Sequence, residues 1–413
     1  MDLTSIDETN VEEFVRWVDE NGGPSTTLSI PEVCEKFQFN LRTKPNFELD
    51  PFSQEYMDLQ IQVYRELSGR EVNQQENEQT DFTLEDHVNT SNAYGLRQPS
   101  EFVSHYQRLS NGIALAKLPV TPKVLDLGCG WGLSSEFLAL LGCDVTAIDI
   151  NPNFVQLVQQ RARRLGYEID AQVGTFESFD TGENVYDAVL FYECFHHAIA
   201  PWEVLENLRS KLKVDGKVIL AGEPIQDTDW PMWGLRLDPL SVYCIRKFGW
   251  FESGWSFEFL QAMFANTGFS IEHSYDESPN VGHTVVATLN ARLLSPGKIA
   301  DKHLTGWEKE GTLLVSMGNS KISSFRELFS PELKNITLIL MNYGVKVLPL
   351  EIQFSASVSE KHSLEPGRNS ITIELGKVSQ DLVFSCEAWI PDSVLHNGDK
   401  RSIAFHFESI DVE

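Results

Sequence analysis

The chain has 413 residues, with 33 basic residues against 60 acidic ones, which gives a formal net charge of −27 at pH 7. A charge of this sign repels phosphate backbones and anionic membrane surfaces, so we expect neither a nucleic acid nor a membrane phospholipid as substrate. The six cysteines show no paired C-x-x-C spacing, and there is neither an export signal nor an apolar stretch of membrane-spanning length, so we expect a cytoplasmic protein with reduced cysteines.

Residues 1–100 are expected to form a helical cap or lid in front of the main fold. Apolar residues at helical spacing predict amphipathic helices near 11–18 and 56–67. The stretch 71–80 is almost free of apolar residues, which is typical of an exposed loop. The segment 81–110 is placed to cover a ligand site. Its candidate contacts, for which packing is the alternative role, are His87, Tyr94, His105 and Tyr106.

The stretch 124–133, Val-Leu-Asp-Leu-Gly-Cys-Gly-Trp-Gly-Leu, predicts a buried strand, a glycine loop and the start of a crossover helix. Asp149 then closes the next strand, where its carboxylate would lie beside the loop and could accept both hydroxyls of a ribose. The glycine spacing is G-x-G-x-G, and Leu133 stands where a dinucleotide fold has its third glycine. The pattern therefore indicates a nucleotide site that does not bind a pyrophosphate.

This stretch resembles motif I of the class I S-adenosylmethionine (SAM) dependent methyltransferases, and the resemblance covers about residues 100–292. It implies a Rossmann-like, doubly wound α/β sheet of seven strands with a reversed last strand, in a domain over 101–295, and S-adenosyl-L-methionine as cofactor. Thr175 stands where the family usually has an acid. The cofactor contacts that the resemblance implies are Asp126, Gly128, Cys129, Gly130, Gly132, Asp149, Ile150, Thr175, Phe176 and Tyr192.

Methyl transfer requires mainly positioning, and a hydroxyl acceptor also needs a general base within about 3 Å. Glu193, His196 and His197 follow the predicted fourth strand, where the acceptor pocket of the family begins. Because histidine titrates near physiological pH, His197 is the predicted base and His196 the second candidate. Glu193 is a further catalytic candidate. Packing or hydrogen bonding is the alternative role of both. No His, Asp or Glu cluster has ligand spacing, so no metal is expected.

Residues 223–255 form an aromatic insertion after the predicted fifth strand and hold four of the nine tryptophans. We expect this insertion to arch over the acceptor, where aromatic faces flanked by charges would suit a sugar or another polar ring. A helical cap whose aromatic residues form plain core is the alternative. The predicted acceptor contacts are Glu223, Trp230, Trp233, Arg236, Trp250 and Trp255.

Beyond residue 289 the pattern changes to short alternating runs separated by Pro, Gly and Asn, which predicts a β-sandwich over 300–413. Its end, 389–401, is similar to accessory β-domains of bacterial surface-glycan biosynthesis proteins. This similarity implies binding of a sugar or of a partner. A sandwich without a ligand, with a structural role or as the contact between copies in a homo-oligomer, is the alternative.

The sequence thus predicts a SAM-dependent methyltransferase for a small or medium polar acceptor, with a sugar hydroxyl, free, nucleotide-linked or on a glycan, as the best candidate. A natural-product O- or N-methyltransferase stays open. So does a non-catalytic SAM-binding scaffold with a glycan-binding β-domain, although the intact Asp126, Gly128, Gly130 and Asp149 argue against a decayed cofactor site. A dehydrogenase is disfavoured by the missing third glycine.

Overall fold

The computed structural model describes residues 2–179, 181, 185–225, 230–278, 280–289, 299, 303–310, 313–328, 334–391 and 399–412. The chain divides into two compact units, Met1–Leu289 and Asn290–Glu413. None of the helices in these described ranges combines the length and the apolar character that a bilayer crossing requires.

Twelve α-helices are described, all in the first unit. Those before the central sheet are α1 (Val11–Glu20), α2 (Pro24–Thr27), α3 (Pro31–Lys36), α4 (Gln54–Ser68), α5 (Gln74–Asn77), α6 (Leu84–Val88) and α7 (Pro99–Ala116). Those that follow are α8 (Leu133–Leu140), α9 (Pro152–Leu165), α10 (Pro201–Leu208), α11 (Pro239–Phe248) and α12 (Phe257–Asn266). Local sequence sets their ends: α11 starts at a proline after the capping carboxylate of Asp238 and stops at Gly249 in a left-handed conformation.

The first unit is built on a seven-stranded sheet and a small hairpin. Its strands are β1 (Lys123–Leu127), β2 (Asp144–Asp149), β3 (Ile169–Val173), β4 (Tyr186–Tyr192), β5 (Leu212–Ala221), the hairpin β6 (Trp233–Leu235) and β7 (Ser253–Trp255), β8 (Phe269–Asp276) and β9 (Gly282–Leu289). The sheet order is β3-β2-β1-β4-β5-β9-β8, parallel from β3 to β5, with β9 antiparallel to β5. The predicted Rossmann-like sheet with a reversed strand is confirmed.

The N-terminal helices share a core with the sheet layer. Buried side chains of α1 and α4 belong to the same apolar cluster as those of β4, β5, α11 and α12. The Tyr64 hydroxyl on α4 donates to the Gly249 carbonyl at 2.6 Å, and the Arg70 guanidinium donates to the carbonyls of Lys247 and Phe248. Residues 1–100, expected as a cap, are therefore part of one compact unit with the sheet.

The second unit is an antiparallel β-domain. Its strands are β10 (Leu304–Glu310), β11 (Leu313–Ile322), β12 (Asn335–Asn342), β13 (Leu348–Ser355), β14 (Val358–Leu364), β15 (Gly367–Glu374), β16 (Leu382–Cys386) and β17 (His406–Val412). They join into one sheet in the order β14-β13-β16-β11-β17-β12-β15, with β10 on β11. The Asn342 side chain on β12, the strand next to the β15 edge, donates to the Leu364 carbonyl at the end of β14, the opposite edge of the sheet. The result is a nearly barrel-shaped sheet.

Candidate functional site

A cavity of about 620 Å³ opens where β1, β2, β3 and β4 reach their carboxyl ends. This is the edge at which open α/β sheets bind ligands, and the volume is that of a small-molecule pocket. Its walls come from the loops after these strands and from the segment that precedes the sheet. The lining residues are Gln74, Glu78, Thr80, Tyr94, Leu96, Gly128, Cys129, Gly130, Trp131, Ser134, Ile148, Asp149, Ile150, Phe154, Gly174, Thr175, Phe176, Glu177, Tyr192, Glu193, Cys194, His197 and Trp250.

The three glycines of the loop after β1 have different roles. A Cβ on Gly128 would lie 2.8 Å from the Cys194 sulfur, so only glycine lets this loop approach the segment after β4. Gly130 has a φ of 46°, and a Cβ there would meet no protein atom within 4 Å. Its backbone thus borders open space that a ligand can fill. A Cβ on Gly132 would lie 2.8 Å from Val158 Cγ2, so this glycine permits packing of α9 and does not line the cavity, which corrects its predicted cofactor contact.

Asp149 ends β2 at the cavity wall. Its Oδ2 accepts the Gly130 N–H at 2.7 Å and its Oδ1 accepts the Asn151 N–H at 2.8 Å. Burial raises the pKa of this carboxyl to about 6. Each carboxylate oxygen has a second lone pair, so the group can still accept the two hydroxyls of a ribose. The open space at Gly130 and this fixed acceptor fit SAM, and the loop and Asp149 would hold it.

Asp126 does not line the cavity, contrary to its prediction as a cofactor contact. It is buried in β1, where its Oδ2 accepts the hydroxyls of Ser134 and Ser135 at the start of α8. Burial raises the pKa of Asp126 to about 6. This carboxyl therefore fixes the glycine loop to the helix that follows it.

The polar stretch 71–80, expected as an exposed loop, includes α5 and forms one wall of the cavity. The Gln74 amide donates to the His197 carbonyl at 2.7 Å, and the Asn151 amide donates to the Thr80 carbonyl at 2.9 Å. The stretch is therefore only partly exposed, and the Gln74 side chain binds a backbone group of the turn after β4. Hydropathy could not distinguish this from exposure to solvent.

A first cluster of polar side chains, which we call the α7 cluster, consists of His105, Arg108, Tyr192 and Glu193. The His105 Nδ1 lies 2.5 Å from the Tyr192 hydroxyl and 3.7 Å from Glu193 Oε2, and the Arg108 guanidinium pairs with the same carboxylate. Burial and the Arg108 charge lower the pKa of His105 to about 4, while burial raises that of Tyr192 to about 12. His105 is therefore neutral at pH 7 and can accept a proton. Glu193 holds a φ of 54°, a strained conformation that is typical of functional sites.

A second cluster, which we call the turn cluster, surrounds the 3₁₀ turn Phe195–His197. It consists of Glu78, His196, His197, Glu223 and Glu252. The His196 Nδ1 lies 2.9 Å from Glu223 Oε2, and its Nε2 lies 3.4 Å from Glu252 Oε2. Burial alone would lower the pKa of His196, but the two carboxylates outweigh it and raise it to about 9. His196 therefore carries a proton already at neutral pH, and its predicted role as second candidate base is corrected.

Glu223 was predicted to contact the acceptor, but its carboxylate holds the turn after β4. One oxygen accepts the N–H groups of Cys194 and Phe195, both at 2.9 Å, and the other accepts the His196 N–H at 3.1 Å. The side chain is buried away from the cavity. Its role is to position this turn.

His197, the predicted base, does line the cavity. Its Nδ1 lies 3.0 Å from Glu78 Oε2. Burial would lower the pKa of His197, but the Glu78 carboxylate outweighs burial and raises it. The role of His197 as general base stays a prediction.

Most of the aromatic insertion lies in the core and not over the acceptor. Trp230, Trp233 and Trp255 are buried at 3%, 0% and 0% exposure, because the β6–β7 hairpin folds inward onto α4 and α12. The Trp233 indole donates to the Pro51 carbonyl at 2.8 Å. Arg236 pairs with Asp238 at 2.9 Å and does not line the cavity either. Of the predicted acceptor contacts only Trp250 borders the cavity.

The predicted cofactor contacts Cys129, Ile150, Thr175, Phe176 and Tyr192 all line the cavity. The Thr175 hydroxyl accepts the Ser178 N–H at 3.1 Å, so it shapes its own turn. The aromatic lining residues Trp131 and Phe154, with ring centroids 4.9 Å apart, were not predicted as contacts. Motif reasoning could not find them because aromatic residues are equally common in a core.

Residues 125–220 match the family model Methyltransf_11, which is described as a methyltransferase domain. The ubiquinone biosynthesis O-methyltransferase of Xanthomonas axonopodis pv. citri (strain 306) is 36% identical over 104 residues, 25% of this chain and 44% of that protein. The protein of the same name from Xanthomonas euvesicatoria pv. vesicatoria (strain 85-10) is 35% identical over 100 residues, 24% of this chain and 42% of its own length. The chain spans less than half the length of these curated relatives.

Among solved structures, a SAM dependent methyltransferase from Aquifex aeolicus aligns with a TM-score of 0.37 and 18% identity. The alignment covers 51% of this chain and 100% of that one.

Proposed function

We propose that this chain, which carries a domain of the class I SAM-dependent methyltransferase superfamily, transfers the methyl group of SAM to a hydroxyl oxygen of an aromatic acceptor. The observation that carries the proposal is the Tyr192–His105 pair at the cavity wall, a proton acceptor that stays neutral at pH 7. The names of the relatives, which specify O-methyltransferases, support oxygen as the accepting atom.

When bound, SAM supplies an activated methyl group on a sulfonium, and the protein has to orient the acceptor and remove its proton. Tyr192 lines the cavity, whereas His105 lies behind it. An acceptor hydroxyl beside Tyr192 can pass its proton to the Tyr192 oxygen while the Tyr192 proton moves to His105 Nδ1. Burial and the Arg108 charge support this transfer, because together they keep His105 unprotonated beforehand.

The aromatic character of the acceptor is supported by the rings that border the cavity. Tyr94, Tyr192 and Trp250 stand near the α7 cluster or the turn cluster, and each presents a large apolar face. Such faces bind flat rings by stacked or edge-to-face contacts. The prediction of a sugar hydroxyl as acceptor loses most of its support, because three of the four tryptophans of the aromatic insertion lie in the core.

The test is methyl transfer from methyl-labelled SAM by the purified full chain. The acceptor panel holds phenols, catechols, sugar nucleotides, free sugars and amines. We expect label in the phenol or catechol products, and demethylated cofactor in equal amount. Transfer to sugars alone would return the assignment to a glycan enzyme. Binding of SAM without transfer to any acceptor would favour the non-catalytic scaffold.

A further inference from the structure

The turn cluster brings together several side chains that can bind a metal ion. His196, His197 and Glu252 each offer one ligand atom, and these atoms lie within 4.8 Å of one another. The two imidazole rings have centroids 4.5 Å apart. Glu78 adds a further carboxylate at 3.0 Å from the His197 Nδ1. In the described part of the chain, no other set of three or more His, Cys, Asp or Glu side chains converges in this way.

One ring nitrogen of this cluster is left without a hydrogen bond. The His197 Nδ1 is buried, and although Glu78 Oε2 is close, the contact lacks the geometry of a hydrogen bond. A divalent cation would supply the missing partner, because it binds the lone pairs of imidazoles and balances the charge of carboxylates.

The orientation of His196 is that of a metal ligand with a supporting carboxylate. Its Nδ1 faces Glu223 at 2.9 Å, which leaves Nε2 on the side of Glu252. Metal-bound histidines commonly donate their other ring N–H to a carboxylate, which fixes the tautomer and the ring. Glu223 is itself held by backbone N–H groups of the turn. The imidazole is thus positioned before any ion arrives.

We propose that His196, His197 and Glu252 bind one divalent transition-metal ion, such as Zn²⁺ or Mn²⁺. Imidazole and carboxylate ligands together suit these ions. Because His197 also lines the cavity, the ion lies at the cavity wall and ties the turn after β4 to the segment before β7. The sequence expectation of no metal overlooked this site because its ligands come from two distant segments.

The experiment is a titration of the chelator-treated full chain with Co²⁺, followed by its visible absorption, and competition with Zn²⁺. We expect one Co²⁺ per chain, displaced by Zn²⁺. Glu252→Gln should abolish the absorption band. Glu223→Gln should keep the band but weaken affinity by about 10–100-fold, the usual effect of losing a carboxylate that supports a ligand histidine. Circular dichroism of each variant checks that it is folded.

The matched control is His283→Ala. The exposed His273 and His283 have ring nitrogens 2.8 Å apart and could chelate an added ion at the surface. Loss of Co²⁺ binding in His283→Ala would overturn the proposal, as would unchanged binding in Glu252→Gln. Absence of binding by the wild-type chain would also overturn it, even if every variant failed to fold. None of these readouts depends on turnover, so this proposal can fail while the methyltransferase proposal stands.

Discussion

The two histidine clusters beside the end of β4 have opposite protonation. The His105 side chain is 19% exposed and that of His196 is 9% exposed. Burial and the Arg108 charge hold His105 neutral, with a pKa of about 4, whereas two carboxylates outweigh burial at His196 and raise its pKa to about 9. The difference shows that burial keeps an imidazole neutral unless neighbouring carboxylates outweigh it.

The same rule separates the buried carboxyl groups of the unit. Glu252 faces His196, and although burial acts to raise the pKa, the imidazolium lowers it to about 2. Asp126 has only hydroxyl donors, so burial prevails and its pKa rises to about 6. Replacing one neighbouring side chain should therefore change the protonation of each of these buried groups.

The largest expected effect follows from removing His105, the neutral histidine of the two clusters. His105→Ala should lower turnover by about 10²–10⁴-fold, the range for losing a positioned proton acceptor, with little change in cofactor affinity. Steady-state rates and calorimetric binding of S-adenosylhomocysteine measure the two quantities. His273→Ala, at an exposed position on β8, is the matched control. Near wild-type turnover of His105→Ala would remove His105 from the proton path.

The next largest effect concerns the buried carboxyl of Asp126 and the dependence of folding stability on pH. Because the folded state holds the Asp126 proton more tightly than the unfolded chain, Asp126 lowers stability progressively as pH rises from about 4 to about 6, by up to about 3 kcal/mol. Asp126→Asn should flatten this part of the profile, as measured by urea unfolding at a series of pH values. Asp144→Asn, at an exposed position on β2, is the control. An unchanged slope in Asp126→Asn would contradict the assignment.

Asp149 tests whether the raised pKa of a buried carboxyl makes ligand affinity depend on pH. Its ionised carboxylate accepts ribose hydroxyls, so S-adenosylhomocysteine affinity should fall as pH drops below the Asp149 pKa of about 6. Asp149→Ala should weaken binding by about 1–3 kcal/mol at pH 7 and lose this pH dependence. Calorimetry at several pH values measures both. Equal affinity of wild type and variant would exclude Asp149 from the site.

The smallest expected effect is a shift in the pKa of His105 when the neighbouring Arg108 charge is removed. Arg108→Met removes the cation beside His105 and leaves Glu193 facing it, so the pKa of His105 should rise towards its ordinary value of about 6.5. The acid limb of the pH–rate profile should then move to higher pH, since turnover needs unprotonated His105. The Tyr94 ring also packs on His105 but carries no charge at these pH values, because burial raises its own pKa well above 10. An unmoved limb would show that burial alone holds His105 neutral.

Local pattern was informative for the cofactor half of the site. The glycine loop and the place of Asp149 beside it follow from spacing along 124–149, because these contacts are made by neighbouring segments. The seven-stranded sheet was implied by the family resemblance. The α7 cluster could be predicted only in part. His105 was a candidate, but Arg108 was not, because its role depends on pairing with Glu193, 85 residues away in the chain.

The acceptor half could not be predicted in the same way. Tryptophan clusters suit a core and a sugar platform equally, and only the inward fold of the β6–β7 hairpin decides between them. Likewise, the bond from the Gln74 side chain to the His197 carbonyl is a contact that no sequence pattern reveals. Which histidine is charged depends on carboxylates from positions 78, 223 and 252, which the fold alone brings together.

The core that the N-terminal helices share with the sheet also limits how this protein can be recombined. A graft of residues 101–289 onto another scaffold would uncover the apolar surface against which Val63, Tyr64 and Leu67 now pack. The donor segment for a chimera therefore has to begin before α1, and natural exchange of the sheet region alone would carry the same penalty. Variation among close homologues should accordingly be coupled between α4 and the α11–β7 region, with substitutions at one surface matched at the other.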